Sequence, residues 1–221
     1  METRDAVKGR RSIRRFLPKP VPEELIKEII ADALWSPSWG NTQPWELTVL
    51  TGDAMKQFMQ KNREAVMSGK EGKSDVPTPQ TWPDAHTSRY KDVGRRVLNS
   101  LDIPREDKEG RMDYYGRMYA CFEAPALVMF SVDKALSLEY AMLDIGIIVQ
   151  SFCLLAFEKG LGTTVLASSI NYPDVLRESF SFPEDKRIII GVAIGYPDPD
   201  APENNFERSR GTLEEFVKWV K

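Results

Sequence analysis

The sequence predicts a layered α+β or α/β domain. Three features carry that reading: a helix-period apolar stripe near the N-terminus, strand-length apolar or alternating runs set far apart along the chain, and helical stretches between them. Residues 21–36 place Leu25, Ile26, Ile29, Ile30, Ala33 and Leu34 on one stripe, with Pro22 in the first turn and Glu23 and Glu24 behind it. That pattern is an amphipathic helix with a favourable start. Pro37 breaks it, and a loop runs to Pro44. Trp45, Leu47 and Val49 then alternate with Glu46 and Thr48 as a strand does, and a second helix follows through Met55, Phe58 and Met59. Residues 68–84 are rich in Gly, Lys, Ser, Pro and Asp and read as a mobile loop.

Residues 86–120 read as helical, with an unusual share of Arg, Asp and Tyr, whereas 125–132 form a continuous apolar run suited to a buried strand. Residues 138–159 are apolar on nearly every face, which predicts a central helix covered on all sides and ending at Gly160. Two more β-rich runs occupy 163–167 and 186–195. Thr212 and Glu215 form a capping box before a last helix expected to pass through Phe216, Val217 and Val220. There are no internal repeats. The chain reads as a single domain over residues 1–221, with a variable helical and loop insert at about 68–120.

Composition narrows the function. A chain of 221 residues, 42% hydrophobic and 29% charged, can bury a substantial core. Thirty basic against thirty-three acidic residues leave a net charge of -3, so no global field favours a nucleic acid. The N-terminal residues lack an apolar signal region, and the apolar run 141–157 is short for a membrane span and carries Asp144 and Gln150. A soluble, cytoplasmic protein with no membrane partner is expected. Cys121 and Cys153 lie in helix-like or apolar contexts that suit buried, reduced thiols, and a single histidine, His86, leaves too few soft ligands for a zinc site.

Several motifs fail. Gly72-Lys73-Ser74 resembles the end of a phosphate-binding loop, but Met67 stands where its first glycine is required. Gly160-Leu161-Gly162 follows a helix and precedes a strand, the context of a helix stop rather than of a dinucleotide fingerprint. His86 sits beside Pro83 and Asp84 in a polar stretch, as a solvated histidine would. What survives is the run from Gly9 to Phe16, where Arg10, Arg11, Arg14 and Arg15 accompany Ser12 within six residues. Guanidinium groups grip a phosphomonoester with charge-assisted, often bidentate bonds. A solvated basic turn would have the same composition, but Arg208 and Arg210 follow a late loop that can fold back toward the first cluster. The segment from Ser36 to Trp45 offers small and amide side chains, Ser38, Asn41 and Gln43 among them, that can match the edge of a flat heteroaromatic ring. It reads equally well as an ordinary connection, as does the strand end Leu166-Ala167-Ser168-Ser169.

Taken in order, the Arg-Arg-Ser-x-Arg-x-Phe opening, the Pro-Ser-x-x-Asn-x-Gln-Pro-Trp loop, the Gly-Leu-Gly-Thr turn, the Gly-Tyr-Pro strand end and the late basic pair resemble the nitroreductase superfamily of FMN flavoproteins over nearly the whole chain. The resemblance implies an α+β fold with a central, mostly antiparallel sheet surrounded by helices, assembled as an intertwined homodimer with two FMN sites at the interface. It places the flavin phosphate and ribityl chain on Arg10, Arg11, Ser12 and Arg14, with Arg208 and Arg210 near the phosphate. Pro37, Ser38 and Asn41 would reach the flavin held by the partner subunit, and Leu166, Ser168 and Ser169 would lie near the isoalloxazine. The chemistry would occur at the flavin N5 with no catalytic side chain and no metal, passing electrons from NADH or NADPH to nitroaromatic or quinone-like acceptors in a ping-pong sequence. The same loops also serve reductive dehalogenation, enone reduction and flavin-fragmenting chemistry, and arginine clusters alone would also fit a phosphate- or nucleic-acid-binding module. In the segment from Trp82 to Tyr119, Trp82, Tyr90 and Tyr115 are expected to cover the flavin and select the acceptor, with Arg89, Arg95 or Arg96 engaging its carboxylate or nitro group; a solvated helical pair whose tyrosines pack on the core would have the same sequence.

Overall fold

The computed structural model describes residues 1–221 as nine helices around one four-stranded sheet. In chain order these are α1 (Thr3–Gly9), α2 (Glu23–Ala33), β1 (Glu46–Thr51), α3 (Gly52–Met67), α4 (Asp84–Ser100), α5 (Lys108–Tyr119), β2 (Ala126–Asp133), α6 (Leu138–Glu158), β3 (Gly162–Leu166), α7 (Pro173–Phe180), β4 (Lys186–Gly195), α8 (Pro202–Asn205) and α9 (Leu213–Phe216). The sheet order is β1-β2-β4-β3, and every neighbouring pair is antiparallel. The α+β form of the two layered folds is the one adopted.

The continuous apolar run of β2 is explained by burial on both faces. Ala126, Val128, Phe130 and Val132 join one core with Ile26 and Ile29 of α2 and Ile148 and Phe152 of α6. Leu127 and Met129 point into a second core with Met55 and Phe58 of α3 and Val175 and Leu176 of α7. Side chains alternate across a strand, so an all-apolar strand needs both layers. In β4 the register slips between Phe130↔Ile190 and Ser131↔Ile188, leaving Ile189 as an extra residue. Ile189 and Ile190 consequently pack on the same side, a bulge that keeps both out of water.

Three expectations are corrected. Helix α6 is buried through Ala141, Asp144, Ile145, Ile148, Val149 and Phe152, but Tyr140, Met142 and Leu143 are exposed, so one stripe of this apolar helix is uncovered in the single chain. The capping box of Thr212 and Glu215 is present, yet α9 stops at Phe216, and Val217 turns extended with Trp219 and Val220 exposed beyond it. A single turn with Leu213 and Phe216 in solvent has no buried face to propagate it. The stretch after α3 is pinned rather than loose: Asp75 accepts two bonds from Arg177 at 3.3 and 2.7 Å and one from the Ile188 N–H at 2.9 Å. The Tyr172 hydroxyl also donates to the Lys70 carbonyl at 3.0 Å. Helix α7, not read from the sequence, starts on Pro173 and buries Val175 and Leu176.

Candidate ligand-binding site

The first basic cluster leaves α1 and runs beside edge strand β3. Ser12 bridges Thr163 in the parallel sense, the Ile13 N–H donates to the Thr163 carbonyl at 3.0 Å, and Phe16 bridges Pro197. Ile13 and Phe16 are buried, which fixes the register and turns the intervening arginines outward. Gly162 makes room for this: a Cβ there would stand 2.4 Å from Ile13 Cγ1.

The chain then returns through β4 and α8 to the same place. Asn204 clamps the two segments, its Oδ1 accepting from the Arg14 and Arg15 N–H groups at 2.7 and 3.3 Å and its Nδ2 donating to the Arg15 carbonyl at 2.8 Å. Arg117 of α5 donates to Glu203 at 3.0 Å and to the Arg14 carbonyl at 3.2 Å, and the Glu203 side chain is only 5% exposed. Arg208 donates to the carbonyls of Arg10 and Lys8 at 2.5 and 2.6 Å. Arg11 donates to the Phe206 carbonyl at 2.5 Å, and the guanidinium groups of Arg11 and Arg14 stand over the Phe206 ring at 5.2 and 5.4 Å. Such cation–π contacts hold a guanidinium without neutralising it.

Helix α4 closes the opposite wall with Arg89, Val93 and Arg96, spaced to share one helix face. The result is a cavity of about 670 Å³ lined by fourteen residues, of which seven are arginines and one, Glu215, is a carboxylate. Burial, then Arg208 and Arg14, hold the Arg11 pKa below its usual range, and burial, then Arg210 and Arg10, do the same to Arg208. The buried Nε atoms of Arg10 and Arg11 have no hydrogen-bond partner. Unpaired buried donors among like charges are costly, and an anionic ligand removes the cost. A second cavity, between the 70–75 segment and α7, balances Lys70, Lys73 and Arg177 against five carboxylates, and the unbonded Nε of Arg177 there stands 3.3 Å from Glu184, so its charge is already met.

The structure thus brings together Arg10, Arg11, Ser12, Arg14, Arg208 and Arg210. It does not bring Pro37, Ser38 and Asn41 to them within one chain. Those residues lie at a turn ahead of β1 (Gly40 and Asn41 both have φ 56°), where Ser38 Oγ accepts from the Gln43 N–H at 2.9 Å and the Trp39 N–H donates to Asp144 at 3.0 Å. Strand β1 starts at Glu46, opposite Ser131, whereas Ser12 aligns through Thr163 and Ile194 with Ala126 at the other end of the sheet. Leu166, Ser168 and Ser169 are buried, with Ser168 Oγ donating to the Met118 carbonyl at 3.1 Å and Ser169 Oγ to the Leu166 carbonyl at 2.6 Å. Trp82 and Tyr90 are exposed, with ring centroids 6.1 Å apart, and Tyr115 stands edge-on to Tyr114 at 6.2 Å; none of the three lines the arginine cavity. The sequence reading did not find Phe206, Ser209 or the Asn204 and Glu203 clamp, and it gave Arg89 and Arg96 to the acceptor rather than to this wall. The spacing of Arg89, Val93 and Arg96 on one helix face was the available signal.

Fold and cavity define a single-sheet α+β protein with an arginine-lined cavity at one end of its sheet. The Nitroreductase family matches residues 7–196. The chain belongs to the nitroreductase family and is an oxidoreductase. It is 33% identical over 220 residues to a nitrobenzene nitroreductase of Ectopseudomonas oleovorans, covering 98% of this chain and 96% of that one. It is 28% identical over 214 residues to a 4-nitrobenzoate reductase of Pseudomonas putida, covering 97% and 93%. Among solved structures, the FMN and NADPH-dependent nitroreductase NfnB of Sphigopyxis sp. strain HMH superposes with a TM-score of 0.95 at 30% identity over 100% of both chains. The FMN-dependent NfnB of Mycobacterium smegmatis, in complex with NADPH, gives 0.93 at 26% identity over 99% and 97%.

Proposed function

We propose that this protein binds FMN with its phosphomonoester in the arginine cavity and transfers electrons from NADPH or NADH to nitroaromatic or quinone-like acceptors in a ping-pong sequence. The observation that carries the reading is the charge of the cavity: seven arginines face one carboxylate, and two buried guanidinium nitrogens lack any partner. The donor set fits a phosphate, which accepts several charge-assisted bonds at once. When bound, the flavin supplies hydride acceptance at N5 and returns the electrons to the second substrate. The chain's own part is to bind and orient. Arg10, Arg11, Arg14, Arg208 and Arg210 hold the phosphate end, Asn204 fixes the backbone that carries Arg14, and Phe206 props the guanidinium groups of Arg11 and Arg14. Arginines converging on a concavity suit a compact anion better than the open stripe that a nucleic acid requires.

The working unit in this reading is a soluble, cytoplasmic homodimer. It is supported by the exposed stripe of Tyr140, Met142 and Leu143 on α6, beside Trp39, whose ring stands 5.4 Å from that of Tyr140. In this reading a second copy covers the stripe, and Pro37, Ser38 and Asn41, which flank Trp39, reach the flavin of the partner subunit. Helix α6 has the length and apolarity of a membrane span, but its inner face is bound into the core through Ile145, Ile148 and Phe152. The test is direct: the purified protein carries flavin absorbance or gains it on titration with FMN, and it sediments as a dimer. A colourless protein that takes up no FMN overturns the cofactor assignment, and a monomer that holds FMN and turns over removes the need for a second copy.

A further inference from the structure

The arginine cavity carries more positive charge than one phosphomonoester neutralises. Arg10, Arg11, Arg14, Arg208 and Arg210 have no carboxylate partner, and Arg11, Arg14, Arg208 and Arg210 donate instead to uncharged backbone carbonyls. A phosphomonoester brings about one and a half to two negative charges at neutral pH. The excess lies in one cavity of about 670 Å³ whose far wall is α4. On that wall Arg96 is neutralised from outside the cavity by Asp92, at 2.7 Å. Arg89 is neutralised from inside by Glu215, at 2.6 Å, and stands over the Phe216 ring at 5.0 Å. Both members of the Arg89–Glu215 pair are nearly half exposed, at 45% and 46%. Glu215 rides on the single turn of α9, held by its other oxygen to the Thr212 N–H at 3.1 Å.

We propose that the cavity is a two-anion site, in which Glu215 occupies Arg89 in place of a phosphate of the nicotinamide donor and yields it when the donor binds. The inference rests on the FMN reading for the first anion. An ion pair this exposed is weak, so breaking it costs little. A 2′-phosphate offers Arg89 nearly twice the charge of a carboxylate, and a pyrophosphate offers about two charges with more acceptor oxygens, in a region that the five arginines keep positive after one phosphomonoester has bound. The Phe216 ring under Arg89 keeps the guanidinium in place after Glu215 leaves. Glu215 thus acts as an internal competitor, and its removal has the opposite sign from removal of its partner. The donor phosphate is either the 2′-phosphate of NADPH or the pyrophosphate present in both donors, and the two sources are separable with fragments.

The experiment uses the FMN-loaded protein, with cofactor content read first by flavin absorbance. Binding of adenosine 2′,5′-bisphosphate, ADP and inorganic phosphate is measured by calorimetry in wild type, Glu215→Gln and Arg89→Ala. With FMN content at the wild-type level, Arg89→Ala weakens the bisphosphate roughly tenfold, the loss of one charge-assisted contact, and Glu215→Gln strengthens it several-fold. The same pattern for ADP assigns the second anion to the pyrophosphate, and a pattern confined to the bisphosphate assigns it to the 2′-phosphate. Probe affinity unmoved in both variants overturns the two-anion site. Loss of FMN from Arg89→Ala in step with the probe also overturns it, because α4 then serves the first anion. Wild-type protein that holds no FMN strikes at the cofactor reading instead.

Discussion

Replacing Arg208 by alanine separates a residue that holds the fold from one that holds the ligand. In the free protein the side chain has two opposing effects. It donates to the carbonyls of Arg10 and Lys8 at 2.5 and 2.6 Å, fastening the tail to the end of α1. It also sits, part-buried, beside Arg210 and Arg10, and burial followed by their charges pulls its pKa down. The substitution loses two bonds, each of net worth about 0.5–1.5 kcal/mol, and relieves a solvent-screened like-charge repulsion that offsets part of that loss, so thermal stability falls only modestly. With phosphate in the cavity the relief shrinks, because the ligand already offsets part of the cluster's charge, and a charge-assisted contact of about 1.5–3 kcal/mol is lost. That corresponds to a rise in the FMN Kd of roughly ten- to a hundredfold. Titration of FMN into apoprotein, followed by flavin fluorescence and run beside a melting curve, measures both quantities, with exposed Arg4→Ala as the control. The Kd should also rise with salt less steeply in the variant than in wild type. An FMN affinity within twofold of wild type refutes the phosphate assignment. A drop in Tm that accounts for the affinity loss shows that Arg208 is a structural tie and no more.

Gly195→Ala places a Cβ 2.5 Å from Pro125 Cδ and 2.9 Å from Phe16 Cδ1, and the proline ring cannot yield. Overpacking of this kind costs about 1–3 kcal/mol, and because Phe16 anchors the Arg10–Arg15 run, both Tm and FMN retention should fall together; a variant that melts and binds as wild type shows the contact to be slack. Cys121 is fully buried, and that burial pushes its thiol up to about 12 from 9.0. A raised pKa contributes stability that is complete below pH 9.0 and is lost as pH climbs toward 12, so native protein should be silent to a thiol reagent at pH 8 and alkaline unfolding should begin above pH 9. Fast labelling of Cys121 in folded protein at pH 8 contradicts its placement. Tyr90→Ala and Tyr115→Ala, both at exposed positions, should change the ratio of kcat/KM between acceptors at constant FMN content and Tm; equal effects on every acceptor make the segment scaffold.

Much of the fold was legible because burial writes itself into composition. Strand β2 is apolar at consecutive positions since α2 and α6 cover one face and α3 and α7 the other. The same logic failed at α6, where Met142 and Leu143 face outward. An apolar side chain facing the chain's own core and one facing another surface have the same identity in sequence, so coverage on all sides was read where one stripe is open. The last helix failed for the converse reason, since a capping box starts a helix but only a buried face sustains one. Within the site, the clustering of Arg10, Arg11 and Arg14 was readable as local chemistry, and Arg208 and Arg210 as a second cluster that needed a returning chain. The clamp that makes the chain return, Asn204 with Glu203 and Arg117, was invisible because its partners are backbone groups and a residue 86 positions away. The same sheet that brings the arginines together keeps Ser38 and Asn41 apart from them. Ser12 belongs to the row of Thr163, Ile194 and Ala126, and the turn holding Asn41 leads into the row of Glu46, Ser131 and Ile188 at the far end of the opposite edge. One chain therefore keeps the Asn41 turn and the arginine cavity at different ends of its sheet, and the proposed contact of both with one flavin calls for two chains packed so that the turn of one meets the arginine cavity of the other.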